Sequence, residues 1–481
     1  MKLFRFLLLT AGISLMCLIT MAARGEVIFT NLVSFTGTNG DFPGASPYSG
    51  LVMGADGNLY GTTSQGGSNN LGTVFQLTPG AAFTSLFSFN GTNGATPYAA
   101  LTPGNGGFLY GTTFAGGVSN WGTIFLITTN GAFTNLFSFT GTNNPWQGSS
   151  PAAALVADGA GNFYGTADFG GTTNPLYLNA STLLGYGYGT VFELITNKTV
   201  TAPVLFGGTN GAYPSGGLAL AKDGNFYGTT RWGGNGLTGN FSGYGTIFRM
   251  SPDGTLTNFY KFTGGDGGFI YAGLVQGGDG WLYGAAFQGG SVGNGTLFKI
   301  STNGDFVPLH SFGYFESATP YAGMMEGGDG NLYGTTYGNA NYGNYGSVFQ
   351  LTPAGAFTNL VSFNSANGYH PAGVLVQGPD NNFYGTTSSG GANGLGTIFR
   401  LSIPMPAVFQ AITLTNDAAT LTWSAVAGQF YQSQYSTNLT QTDWKIVLGT
   451  KNIIATNGIM TTTDTNAAGS PQRFYRVVLF P

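Results

Sequence analysis

A chain of 481 residues with 83 glycines, 39 phenylalanines, 25 tyrosines, 7% charged residues and a net charge of −4 is not composed like a helical or α/β enzyme. Its glycines lack a three-residue period, which excludes collagen, and this much aromatic surface excludes a disordered chain, because burying it offsets chain entropy. The few charges, of both signs, provide no basic field for nucleic acid or anionic lipid, so a turn-rich all-β protein is expected.

Residues 1–23 carry the parts of a secretory signal: Lys2 and Arg5, an apolar run over 6–21, then Ala22 and Ala23 before Arg24. That run falls short of the roughly twenty apolar residues of a membrane span. Removal near Ala23 is expected, leaving no stable span. Cys17, the one cysteine, would leave with it, excluding disulfides, thiolate metal sites and a cysteine nucleophile from the mature chain.

The next stretch, Phe29-Thr30-Asn31-Leu32-Val33-Ser34-Phe35, stands alone but resembles the end of each later repeat. A two-part signature then returns seven times. Its first part begins as Asp56-Gly57-Asn58-Leu59-Tyr60-Gly61-Thr62-Thr63, and the tyrosine recurs as Tyr110, Tyr164, Tyr227, Tyr283, Tyr333 and Tyr384. The second part, Gly72-Thr73-Val74-Phe75, recurs from Gly122, Gly189, Gly245, Gly295, Gly346 and Gly396. A period of about fifty residues suits propeller blades and is too long for β-helix coils. In the second copy, runs at 98–101, 108–113, 123–127 and 133–139, separated by Gly, Asn and Asp turns, predict four strands. Asp56-Gly57, Asp223-Gly224, Asp279-Gly280 and Asp329-Gly330 predict type I′ turns; with one carboxylate each they are poor calcium loops. The seventh copy holds three strands, ending near Ser402. The isolated stretch 29–35 is expected to be its fourth strand and to close the ring, since an open edge would leave backbone groups unsatisfied. The expected fold is a seven-bladed β-propeller over 27–403, closed by the N-terminal strand.

Over residues 29–402 the linked signatures resemble the GloVer-type tandem repeat family of exported bacterial proteins, which appears with various C-terminal anchoring or sorting modules. The resemblance implies an exported or surface protein and supplies no catalytic residue. Ala285 and Gly338-Asn339 depart from the pattern.

In residues 404–481 the glycine signature stops. Strand-like runs at 420–423, 429–435, 444–448 and 473–480, with Trp423, Tyr431 and Phe474-Tyr475-Arg476-Val477, resemble a small fibronectin type III-like (Ig-like) β-sandwich. A spacer or docking role is expected for it.

Loops between the second and third strands differ most among repeats, expanding at 167–188 and 231–244, and such inserts mark a binding face. They and neighbouring loops collect Trp121, Trp146, Tyr177, Tyr186, Tyr188, Trp232, Tyr244 and Tyr337. Rings beside Asn and Gly can stack on sugar faces, which makes a glycan or cell-envelope component the expected partner; the competing reading is that they simply pack over the rim. Asp168 and Arg231 share one repeat position, four after the signature tyrosine, and suit an inter-blade ion pair or part of a polar site. Asp266 and Glu316 are the carboxylates a glycosidase reading would use. His310 and His370 do not cluster, and no triad, zinc set or phosphate loop assembles, so no cofactor is expected. The sequence thus points to an exported, monomeric binding module, with a polysaccharide-degrading enzyme and a structural surface protein as alternatives.

Overall fold

The computed structural model describes residues 14–17, 27–141, 148–171, 187–195, 198–234, 243–314, 316–338, 343–404, 407, 409–415, 417–437, 444–467 and 472–480. It has two compact units: Asn31–Val376 with Gly385–Phe399, and the described part of Met1–Thr30 with Gln377–Tyr384 and Arg400–Pro481.

Seven four-stranded sheets follow one another along the chain. The first runs Val52–Met53, Leu59–Thr63, Thr73–Leu77 and Phe83–Ser88, each strand antiparallel to the next, and the next five repeat that order. The seventh contains Val376–Gln377, Phe383–Thr387 and Thr397–Ser402 and takes Ile28–Ser34 as its outer strand. The expected N-terminal contribution is therefore present, and the architecture is propeller-like.

The signature residues form strands because their side chains suit a sheet covered on both faces. Leu59–Thr63 is buried throughout, which favours small and apolar residues over alternation. Gly61 lies flat under the Phe75 ring, where a Cβ would come within 2.5 Å of Cζ. Thr63 and Thr73 share a cross-strand hydroxyl contact of 2.8 Å, repeated at Thr113–Thr123 and Thr387–Thr397. The signature tyrosine points its hydroxyl at the hairpin turn: Tyr60 donates to Asp56 at 2.7 Å and accepts from Gln76 Nε2 at 2.6 Å. Burial first, then Asp56, pushes that hydroxyl up to about 12, so it remains a donor.

The turns differ from the expected type I′. Gly57 has φ +77 while Asp56 stays outside the left-handed region. Gly57 N–H donates to Gly54 O at 3.0 Å and Gly54 N–H to Asn58 O at 2.8 Å, the pattern of a longer turn with one left-handed residue. Asp56 instead accepts from the Asn58 backbone at 3.1 Å and from Tyr60, a side-chain turn that needs no positive φ at the aspartate.

The first strand of each repeat is also shorter than expected: Thr102–Pro103 pairs where 98–101 was predicted. The predicted stretch is the innermost one, and its small residues meet the backbone of the neighbouring repeat rather than a strand partner. A Cβ on Gly50 would lie 2.5 Å from Val374 O, and one on Gly216 2.6 Å from Ala272 O.

Two sets of contacts recur along the larger unit. The first signature threonine donates to the innermost segment of the following repeat: Thr62 to Ala99 O at 3.1 Å, Thr166 to Gly216 O at 3.1 Å, Thr229 to Ala272 O at 2.8 Å. Thr386 of the seventh repeat donates to Ser49 O of the first at 2.8 Å, linking the two ends of the repeat series, whereas the fifth repeat has Ala285 at this position and Thr335 Oγ1 of the sixth is buried without a partner. Thr386→Val removes that bond at nearly constant volume and is expected to cost about 1 kcal/mol, read from the urea midpoint; an unmoved midpoint would show the link to be dispensable.

The second set uses a phenylalanine just after each outer strand. Phe89, Phe139, Phe206, Phe262, Phe312 and Phe363 donate their backbone N–H to the glycine that opens the third strand of their own repeat, at 2.9–3.1 Å. Phe35 does the same to Gly396, at 3.1 Å, from the other end of the sequence. Its ring then turns to the first repeat, 5.6 Å from Phe75 and 6.1 Å from Phe83.

The smaller unit contains a five-stranded sheet of Ser14–Cys17, Gln472–Phe480, Phe430–Ser436, Lys445–Ile446 and Ile453–Ile454, and a three-stranded sheet of Phe409–Thr415, Ala418–Ser424 and Ile459–Asp464. Leu421 and Trp423 from one and Tyr431, Tyr475 and Val477 from the other share one core. Asp464 accepts from Arg473 and, at 2.9 Å, from Tyr475, pairing a buried cation that lies 4.3 Å over the Tyr435 ring. The hairpin Gln377–Tyr384 belongs to this unit, and Asn381 Nδ2 donates to Ala425 O and Gly458 O. Among the described residues no helix is long and apolar enough to cross a membrane.

Candidate binding site in the central cavity

The innermost segments of all seven repeats surround a cavity of about 680 Å³, within the roughly 300–1,000 Å³ of small-molecule sites. The residue that begins each segment is Tyr48, Tyr98, Ala152, Ser215, Tyr271, Tyr321 and Ala372 in turn, and all seven line it. The residue four after each signature tyrosine sits beside this ring; Phe114, Asp168 and Arg231 are the three that line the cavity.

The collar is divided. One aromatic arc holds Tyr48 and Tyr98, edge to face at 5.4 Å, with Phe114 5.3 Å from Tyr98. The other stacks Tyr271 on Tyr321 at 4.8 Å, with Phe287 and Tyr337 packed around them. Between them the third and fourth repeats place small Ala152 and Ser215, and there the charged side chains stand.

Asp168 is 7% exposed. Burial raises its carboxyl to about 6, outweighing the opposing pull of the Arg231 charge and the Ser215 hydroxyl. The half-buried Arg231 guanidinium lies over two rings, 5.3 Å from the Tyr213 centroid and 5.3 Å from that of Tyr271. Asp168 Oδ1 and Arg231 Nε are buried without a hydrogen-bond partner. Among the described residues, the ion pairs within 4.0 Å are His310–Glu316 and Arg473–Asp464. Asp168 and Arg231 therefore share the cavity wall without pairing directly, and the wall offers one acceptor and one donor set in aromatic surroundings.

Of the other sequence-derived candidates, Tyr337 joins the second arc, 5.5 Å from Tyr321 and stacked on His370 at 4.2 Å, and the rest are dispersed. Trp232 packs 4.5 Å from Phe269, with Tyr244 on the same ring at 5.8 Å. Trp121 is half-buried against Gly141 and the core of Ile124 and Phe139. Tyr188 is buried in the core with Tyr213 and Phe248. Trp146, Tyr177 and Tyr186 lie outside the described residues. The glycosidase pair is occupied locally: Asp266 accepts from Tyr260 at 2.6 Å and Thr263 N–H at 2.8 Å, and Glu316 contacts His310 at 3.1 Å and accepts from Gly313 N–H at 2.7 Å. No group of three or more His, Cys, Asp or Glu among the described residues is placed to hold a metal.

Sequence reading missed Tyr48, Tyr98, Tyr271, Tyr321 and Ser215. The signal was present: each begins its innermost segment, directly after Pro47, Pro97, Ile270, Pro320 and Pro214.

The family model described as the Gloeobacter/Verrucomicrobia repeat matches residues 18–177, 169–339 and 238–443. No curated protein matches the chain. Among solved structures, PorZ, a bacterial surface component of the type-IX secretion system of Porphyromonas gingivalis, is similar at 12% identity and TM-score 0.49. That match takes in 92% of this chain and 59% of PorZ, so the chain spans less than two thirds of PorZ's length. A putative 6-phosphogluconolactonase from Bacteroides uniformis is similar at 14% identity and TM-score 0.47, over 85% of this chain and 99% of that one. The periplasmic gluconolactonase of Pseudomonas aeruginosa is similar at 14% identity and TM-score 0.42, over 65% and 84%.

Proposed function

The chain belongs to the Gloeobacter/Verrucomicrobia repeat family, and from that premise we propose that it is an exported binding protein, a seven-bladed β-propeller with a C-terminal β-sandwich, that takes glycans in its central cavity. Export is supported by the basic, apolar and small-residue order of residues 1–23. The observation that carries the binding reading is the divided collar. Two aromatic arcs offer flat apolar faces to sugar rings, and the gap between them offers polar groups to hydroxyls. The protein acts as a monomer at or outside the cell surface, with a cell-envelope or environmental glycan as partner and no cofactor.

A glycan array probed with the full chain tests this. Tyr98→Ala with Tyr271→Ala removes one ring from each arc and is expected to weaken binding about tenfold or more, at about 1 kcal/mol per lost stacking contact. An array on which the parent protein binds nothing would sink the reading.

A further inference from the structure

We infer that the cavity's ligand is a neutral, polyhydroxylated saccharide, held by a hydroxyl group that donates to Asp168 and accepts from Arg231. This rests on the glycan reading above and narrows it to a chemical class.

The argument is one of matching. The polar gap presents a carboxyl with an unpartnered Oδ1 and a guanidinium with an unpartnered Nε, with the Ser215 hydroxyl beside the carboxyl. With Tyr213 and Tyr271 each 5.3 Å from the guanidinium, a polar ligand engages it through its N–H groups. A carboxylate or phosphate would suit Arg231 but would set a second anion beside Asp168. A cation would suit Asp168 and repel Arg231. A hydroxyl both donates and accepts, so adjacent hydroxyls on one sugar ring can serve both groups without adding charge. The aromatic arcs on either side would cover the ring's apolar faces.

Binding should then follow the ionisation of Asp168. Arg231 and Ser215 face it from the fourth repeat, and the Tyr321 hydroxyl, raised chiefly by burial, senses its charge from the sixth. Among the described residues the lining contains no histidine or lysine and no second carboxyl. Asp168 is therefore the lining group that changes charge as pH crosses about 6. The ionised carboxylate is the stronger acceptor, so affinity is full above that value and falls as the group protonates.

The test is calorimetric titration of the full chain with cellohexaose, xylohexaose and mannohexaose, and with hexagalacturonate as the acidic counterpart, on both sides of that pH. The expected result is binding of a neutral oligosaccharide that weakens on acidification. Asp168→Asn and Arg231→Met should each weaken it about tenfold or more at the higher pH, as expected for a hydrogen bond to a charged group. Asp168→Asn should also flatten the pH profile, and melting curves would show that both variants fold. Preference for hexagalacturonate, strengthening as pH falls, would overturn this inference and leave the glycan reading standing. So would neutral binding indifferent to both substitutions. Binding of no saccharide at either pH would overturn both.

Discussion

Phe35→Ala is expected to destabilise the seven-sheet unit by about 3–5 kcal/mol, the range for emptying a buried phenylalanine site. The residue is 0% exposed, and the substitution acts on two repeats at once. Its backbone is bonded to Gly396, and its ring fills space beside Phe75 and Phe83. In thermal unfolding this corresponds to a drop of roughly 4–7 °C for a unit of this size, at about 2.1 cal/mol/K per residue. Phe89→Ala should cost a similar amount, since Phe89 makes the same backbone bond within its own repeat and packs 5.4 Å from Phe125. A chain beginning at Tyr48 should fall further, because it also loses Val33 and exposes the N–H and C=O row of Thr397–Ser402. Melting of that shortened chain at the parent temperature would refute the role assigned to the N-terminal strand.

Asp168→Asn should act in the opposite direction and only above a certain pH. The carboxyl sits at about 6 in the folded chain against an ordinary 3.8, so the folded state binds this proton more tightly than the unfolded state. Stability is accordingly full below the ordinary value and declines as pH rises through the folded one. A shift of about two units corresponds to roughly 3 kcal/mol, at about 1.4 kcal/mol per unit. The neutral amide keeps the shape and lacks that cost. Denaturant unfolding should show the variant more stable than the parent by up to about 3 kcal/mol near pH 8 and equal to it near pH 3.5. Equal stability at both would mean that Asp168 is solvated or paired in solution. The same substitution is expected to weaken saccharide binding, so a group that strains the fold is the one assigned to the ligand.

The scaffold could be read from the sequence because its constraints repeat. Gly61 must be glycine under Phe75 for the same reason that Gly385 must be under Phe399, where a Cβ would also approach Cζ to 2.5 Å, so the strand signatures came through in every copy. The innermost strands were misjudged because apolar and small residues at 98–101 look like a ladder segment. Their smallness instead answers to a neighbouring backbone, which no single repeat reveals. The turns were misjudged because Asp-Gly suits both type I′ geometry and an aspartate that caps its own loop, and the tyrosine hydroxyl four residues on favours the second.

The site was half visible. Asp168 and Arg231 drew attention as exceptions at a position filled elsewhere by Ser64, Phe114, Phe287, Tyr337 and Ser388. Tyr48, Tyr98, Tyr271 and Tyr321 escaped notice because, recurring in four repeats, they read as framework. Composition could not separate a ring facing a cavity from one packed on a neighbour, and Trp232, set against Phe269, is of the second kind.

One consequence of the Phe35 arrangement concerns time rather than stability. Phe35 O accepts from Asn393 Nδ2 across 358 residues, among the last contacts the chain can make as it lengthens. Bringing such distant partners together adds little free energy, since the entropic toll grows only with the logarithm of loop length, but it slows the search. During synthesis the first six repeats can pair their own strands while the N-terminal segment waits unmatched for the seventh. The seventh sheet is thus completed late, and until then Ile28–Ser34 is an unpaired, adhesive edge.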